Sequence, residues 1–258
     1  NAFKSTTIRA SVGKGYRTAN VFAENTTLLT SNRSLVITES LLPEQGWNYG
    51  ITVVQPFKLN YREGTFTVDV YRTDFVNQVV VDIDSDDESI YIYNLIGDSY
   101  SNVAQAEINY ELFKRFEIRT AYKYIDAKET FNGELLEVPL TYKHRGLINL
   151  SYEWKRAGLL FDATSQFYGK SRLPNLSDNH EAHDLGTTSP AYVLFMGQIT
   201  KQFKKLEIYV GSENIGNYTQ HEPIIGATNP FGEDFDASVI YAPLMERKFY
   251  GGLRLIFN

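Results

Sequence analysis

Residues 105–124 read QAEINYELFKRFEIRTAYKY, and the fold follows from this stretch. Ala106, Ile108, Tyr110 and Leu112 have one parity, while Gln105, Glu107, Asn109 and Glu111 have the other. Beyond Phe113-Lys114 the alternation restarts, with Phe116, Ile118, Thr120, Tyr122 and Tyr124 opposing Glu117, Arg119 and Lys123. Helical spacing would scatter these sets around a cylinder, whereas strand spacing sorts them onto two faces. The stretch therefore predicts two amphipathic strands joined by a short turn.

Working outward, Ile148, Leu150, Tyr152 and Trp154 oppose Asn149, Ser151 and Glu153, and Leu159, Phe161, Ala163 and Phe167 oppose Asp162, Thr164 and Gln166. The full pass gives ten strands, near 5–17, 47–58, 64–83, 91–112, 115–128, 142–155, 158–170, 190–203, 206–215 and 246–257. No capped segment with a 3.6-residue period stands out, so the expected class is all-β and antiparallel. Short turns at 59–63, 113–114, 155–158 and 204–205 alternate with long polar connections at 18–46, 84–90, 129–141, 171–189 and 216–245. Outer-membrane barrels have this asymmetry, with short periplasmic turns and long extracellular loops. An aromatic-rich soluble β-sandwich, the plain rival, has no reason to put every long loop at one end.

The polar face carries Glu107, Glu111, Glu117, Arg119, Lys123, Glu153, Asp162 and Arg254. Such charges cannot fill a small dry core unpaired. They suit a wide, wet or plugged lumen, with the aromatic and aliphatic face turned to lipid. Composition agrees. Hydrophobic residues make up 43% of the 258, with 18 Tyr and 16 Phe, yet mean hydropathy is only −0.30. No run of 18 apolar residues offers a spanning helix. With no Cys, neither a disulfide framework nor a thiolate metal site can form. A net charge of −6 without a basic stripe argues against nucleic acid. The opening Asn-Ala-Phe-Lys has no basic and apolar signal-peptide regions, so an exported protein would begin upstream.

The final segment, Arg247 to Asn258, places Phe249, Leu253, Leu255 and Phe257 on one face. Its Gly252, Leu255 and Phe257 look like the C-terminal signal read by the barrel-assembly machinery, although Asn258 follows the aromatic. Gly13-Lys14-Gly15-Tyr16-Arg17-Thr18-Ala19-Asn20 closes a strand and opens a long loop, and Leu42-Pro43-Glu44 and Trp47-Asn48-Tyr49-Gly50 lead into the next strand. With Glu213-Asn214-Ile215-Gly216-Asn217-Tyr218 and Arg247-Lys248-Phe249-Tyr250-Gly251-Gly252-Leu253, this order resembles TonB-dependent outer-membrane receptors over essentially the whole chain. The Asn- and Tyr-rich tone, with Tyr-Lys-Tyr-Ile-Asp at 122–126, is nearest to receptors of Bacteroidetes-type bacteria.

The resemblance implies an antiparallel transmembrane β-barrel of 22 strands, of which residues 1–258 would be the last ten; the plug domain and first strands would lie outside this chain. It implies an outer-membrane receptor for energy-coupled uptake of a scarce solute such as a siderophore, metal chelate or cobalamin, with no catalytic residue and no cofactor. Implied partners are the missing barrel and plug, the TonB-ExbB-ExbD complex acting through the plug, outer-membrane lipid and lipopolysaccharide, the assembly machinery and a surface lipoprotein. Rival functions are a ten-stranded omptin-like rim protease and a passive porin. Solute contacts are expected at Arg17, Asn20, Trp47, His180, His183 and His221, at or beyond strand tips.

Two clusters raise metal binding. The acidic run Asp82, Asp84, Asp86, Asp87, Glu88 fails as an EF-hand, with Asp87 where Gly belongs and Tyr93 where Glu belongs, so a solvated loop is the plainer reading. His180 and His183, three residues apart in a long loop, could hold a divalent ion or touch a metal-bearing solute.

Overall fold

The computed structural model describes residues 6–175, 186–232 and 235–256. Its strands are β1 (Thr7–Arg17), β2 (Ser34–Ile37), β3 (Glu44–Leu59), β4 (Arg62–Asn77), β5 (Val79–Asp82), β6 (Ser89–Asn94), β7 (Ser99–Phe113), β8 (Phe116–Phe131), β9 (Glu134–Glu137), β10 (His144–Trp154), β11 (Leu159–Tyr168), β12 (Tyr192–Gln202), β13 (Leu206–Glu213) and β14 (Lys248–Leu255). Ten pair in the order β1-β3-β4-β7-β8-β10-β11-β12-β13-β14, each antiparallel to its neighbour. This wall contains the ten expected strands, in sequence order. Among the described residues β1 and β14 end the path, and no pairing joins them.

The register makes the alternation continuous from strand to strand. Phe66 pairs with Ile108, Ile108 with Thr120 and Thr120 with Ile148, so the apolar sets fall on one side. Asn109, Arg119, Asn149 and Thr164 make the matching row on the other side. A slip of one residue would exchange the faces, so the pattern itself pins the register.

Rings gather at both rims of the apolar face. At the short-turn end Phe57 lies 5.7 Å from Tyr110, and Tyr152 lies 6.3 Å from Phe116 and 6.5 Å from Phe161. At the long-loop end Tyr122 Oη is 2.6 Å from His144 Nδ1, and Lys14 stands over the Tyr16 and Trp47 rings. Amphipathic rings favour the headgroup level, and two such belts mark the edges of the lipid contact.

Glycines face rings across the strands. A Cβ on Gly252 would come within 2.3 Å of the Tyr209 hydroxyl, and one on Gly211 within 2.4 Å of the Tyr250 ring. Both are direct cross-strand pairs, so each ring covers the bare backbone of its partner.

The structure corrects one connection. The strands expected at 64–83 and 91–112 each divide in two, and the connection between the wall strands β4 and β7 contains β5 and β6. These form a second sheet with β2 from the first long loop, in the order β2-β6-β5, with β2 parallel to β6. Its interior holds Val80, Ile90 and Ile92, all fully buried, while Val21 and Val79 pack with Ile92.

Candidate functional site

The outer loops interlock above the wall. Arg33 is buried; its Nη2 lies 3.1 Å from Asp236 Oδ2, and its Nη1 donates to the Ile83 carbonyl at 3.1 Å. Arg172 donates from Nη1 and Nη2 to both oxygens of Asp84, at 2.9 and 2.6 Å, and from Nε to the Glu137 carbonyl at 2.6 Å. These two guanidiniums tie together segments from all five long connections, since a planar fork reaches several acceptors at once. Gln220 pins the last connection internally: its Nε2 donates to the Val239 carbonyl and its Oε1 accepts from the Tyr241 and Ala242 amides.

The acidic run serves this architecture. Asp82 accepts from the Asp84 and Ser85 amides and from the Tyr93 hydroxyl, and Asp86 from the Glu88 and Ser89 amides and the Tyr91 hydroxyl. These carboxylates cap turns with their own backbone. Those bonds also hold the Asp86 carboxyl below its usual range, the Glu88 amide contributing most. Among the described residues no group of three or more His, Cys, Asp or Glu is placed to hold a metal ion.

Beneath the loops, the polar face carries a basic pair beside a tyrosine stack. Lys123 and Arg145 are directly opposite each other across β8 and β10. Like charges so placed repel, and among the described residues no carboxylate pairs with either. They line a groove of about 210 Å³ with Gln105, Arg119 and Tyr168, in which Arg119 is neutralised by Glu107 at 2.9 Å. The Arg145 guanidinium lies 4.9 Å from the Tyr168 ring centre. Tyr168 stacks on Tyr192 at 4.8 Å, Tyr192 on Tyr218 at 4.8 Å, and Tyr142 meets Tyr168 edge-on at 5.2 Å. A cationic pair beside flat apolar rings can take a solute that is both anionic and partly apolar.

The residues expected to contact solute are dispersed. Arg17 donates to Glu44 from Nε at 2.6 Å and lies 3.1 Å from Glu24, at the edge of a cavity of about 310 Å³. Asn20 caps the short helix α1 (Val21–Glu24), accepting from the Ala23 amide at 3.4 Å. Trp47 belongs to the outer belt of the apolar face, away from the groove. The His221 side chain is 88% exposed, 4.0 Å from Glu222. His180 and His183 lie outside the described residues, as does Phe257. Of the assembly-signal residues, Gly252 lies beneath Tyr209 and Leu255 pairs with Leu206 in β13. Sequence reading named Lys123 only as a face charge and missed its meeting with Arg145. Counting outward from the turn at 114–115 misses the β7–β8 register by one residue, because a bulge between Glu111 and Phe113 shifts it, and the β10 register depends on the whole connection at 129–141.

The family model for the TonB dependent receptor-like β-barrel matches residues 2–215. The chain belongs to the TonB-dependent receptor family. Solved structures agree on the fold. A ferric enterobactin receptor (PfeA) mutant from Pseudomonas aeruginosa matches with TM-score 0.64 and 14% identity, over 98% of this chain and 38% of that one. The siderophore receptor PirA from Acinetobacter baumannii matches with TM-score 0.64 and 13% identity, over 100% of this chain and 39% of that one. A structure titled copper transporter OprC matches with TM-score 0.64 and 15% identity, over 98% and 37%. The chain thus spans under two fifths of these structures. No curated protein sequence matches it. Membership in this family makes the wall part of an outer-membrane receptor β-barrel.

Proposed function

We propose that this chain forms the last ten strands of a 22-stranded receptor that imports a scarce, anionic metal chelate under TonB control. The observation that carries this reading is the Lys123–Arg145 pair, which faces the lumen without a carboxylate partner and sits beside the Tyr142, Tyr168, Tyr192 and Tyr218 rings. Two uncompensated cations on one row draw an anion, and the rings supply apolar contact at small entropic cost. The open edges of β1 and β14 call for further strands, because unpaired backbone in lipid costs several kcal/mol per group. A plug, the TonB-ExbB-ExbD complex, lipopolysaccharide, the assembly machinery and a surface lipoprotein complete the proposed system.

A siderophore comes first as cargo, since similar structures are titled siderophore receptor and ferric enterobactin receptor; a copper complex comes second. Arg17, Asn20, His180, His183 and His221 remain outer contacts in this proposal, and Trp47 acts as a headgroup anchor. The assembly role of Gly252, Leu255 and Phe257 and an origin in Bacteroidetes-type bacteria rest on the sequence pattern.

Growth of a strain lacking the receptor, under separate iron, copper and cobalamin limitation, tests this. Iron-limited growth should fail and return with the wild-type gene only when TonB is present. Rescue by Lys123→Gln/Arg145→Gln should need roughly tenfold more chelate, the scale of one lost charge-assisted contact. Normal growth of the deletion strain in all three media, or rescue without TonB, would contradict the proposal.

A further inference from the structure

We propose that Glu129 is a proton-controlled latch for the strap Val21–Thr30, which covers part of the lumen face at the outer mouth. The strap comprises α1 and a 3-10 turn, Thr26–Thr30. It reaches in over the polar face from the end of β1, where Arg17, Glu44 and Glu129 share one parity. Strap and carboxyl line the same cavity of about 310 Å³, together with Val79, Phe131 and Leu140.

Glu129 occupies an unusual place in that cavity. Beyond Tyr124, β8 leaves β10, and its residues 128–131 pair with β9 above the lipid-facing wall. Glu129 there is only 5% exposed, and its Oε1 has no hydrogen-bond partner. Its cross-strand neighbours, Ser99 on β7 and Leu136 on β9, carry no charge. The ionisable groups around it are Glu44 on β3, Asp82 on β5, Glu24 on α1, Tyr93 on β6 and Arg17 on β1. The one cation among them, Arg17, is committed to Glu44 and Glu24. Burial, followed by the charges of Glu44 and Asp82, lifts the Glu129 carboxyl to about 7.

A neutral carboxyl is tolerated in this setting; a carboxylate is not, because it would be buried beside two other anions with no counter-charge. Ionisation is relieved when the strap lifts and water enters the cavity, which has room for several molecules. The strap is held by the buried side chains of Val21, which packs on Val79 and Ile92, and Leu28, by the Arg17–Glu24 ion pair, the Asn20 cap, and a bond from the Ala237 amide to the Thr30 carbonyl, and lifting it releases these together.

The direction follows from linkage. The closed form holds its proton up to about pH 7, whereas an open, hydrated Glu129 loses it near the usual value of 4.5. Between those values the open form binds fewer protons, so opening grows as pH rises and levels off above 7. Each unit of pKa difference is tenfold in the equilibrium, so the full rise over two and a half units is about 300-fold. The strap is closed in acid and loosened at neutral pH.

Hydrogen exchange of the full-length receptor in nanodiscs, from pH 5 to 8 and corrected for intrinsic base catalysis, tests the latch. Wild-type protection across 21–30 should fall with pH and level off near 7, while the β5–β6 amides keep theirs. Glu129→Gln should hold the strap at its acid-state protection throughout. A flat wild-type profile, a pH effect spread over all loops, or the same slope in Glu129→Gln overturns the proposal. The wild-type profile alone decides the matter if the variant fails to assemble.

Discussion

The wall and the loop layer above it treat apolar residues in opposite ways. In the middle of the wall Ile108, Ile148 and Phe195 are 38%, 48% and 49% exposed, whereas in the loop layer Val80, Ile90 and Ile92 are at 0%. The wall has two wet or lipid-covered faces and needs the bilayer to shelter one of them. The layer above has its own core, sealed by two arginines that each bind an aspartate and a carbonyl. Segments that look like loops on polarity therefore contain the most protein-like packing in the molecule, and the regular strands contain the least. The solute path lies between these regimes, along the polar face and under a roof that does not depend on lipid for its order.

The sharpest way to break the contrast is to remove one partner of a buried ion pair. Asp236→Ala leaves Arg33 buried without its carboxylate, a loss of about 3–5 kcal/mol for the layer. Limited proteolysis should cut the outer connections quickly, while the heat-modifiable barrel band on a gel is unchanged. Next comes truncation. Ile92→Ala should cost about 2–5 kcal/mol by cavity formation, read from exchange of the β5–β6 amides. In the wall Ile148→Ala, at a side chain 48% exposed to the lipid side, should leave those amides untouched.

Charge separates the two wall faces with a somewhat smaller effect. Ile148→Arg should destabilise the barrel by about 2–4 kcal/mol near mid-membrane in a urea titration, and Asn149→Arg, one residue along and facing the lumen, by far less. The smallest effect is expected at the ring-covered glycines. Gly252→Ala pushes against the Tyr209 hydroxyl 2.3 Å away and should cost about 1–3 kcal/mol, without altering the loop layer.

Much of the wall was legible in the sequence, because a period of two survives wherever one face meets lipid and the other water. The loop layer was less so. Val79–Asp82 and Ser89–Asn94 are runs rich in Val, Ile and Tyr that lie one residue after β4 and four residues before β7, so they merge with those strands when read in one dimension. A 20-residue strand at 64–83 is nevertheless about twice the length that crosses a bilayer, and that excess was the available signal. Arg33 and Asp236 are too far apart in sequence for any local pattern to join them, and Lys123 meets Arg145 only through the register of β8 with β10. Side-chain chemistry alone led to histidines, of which His221 stands exposed and isolated from the groove.

Single cysteines at 148, 149, 150 and 151 would show whether the wall stands in a bilayer as described, and the chain contains no native Cys to interfere. With an environment-sensitive label in lipid vesicles, positions 148 and 150 should be quenched by a lipid-phase quencher and spared by an aqueous one. Positions 149 and 151 should show the reverse. Equal quenching at all four positions, or the opposite alternation, would contradict the assignment of the apolar face to lipid and the polar face to the lumen.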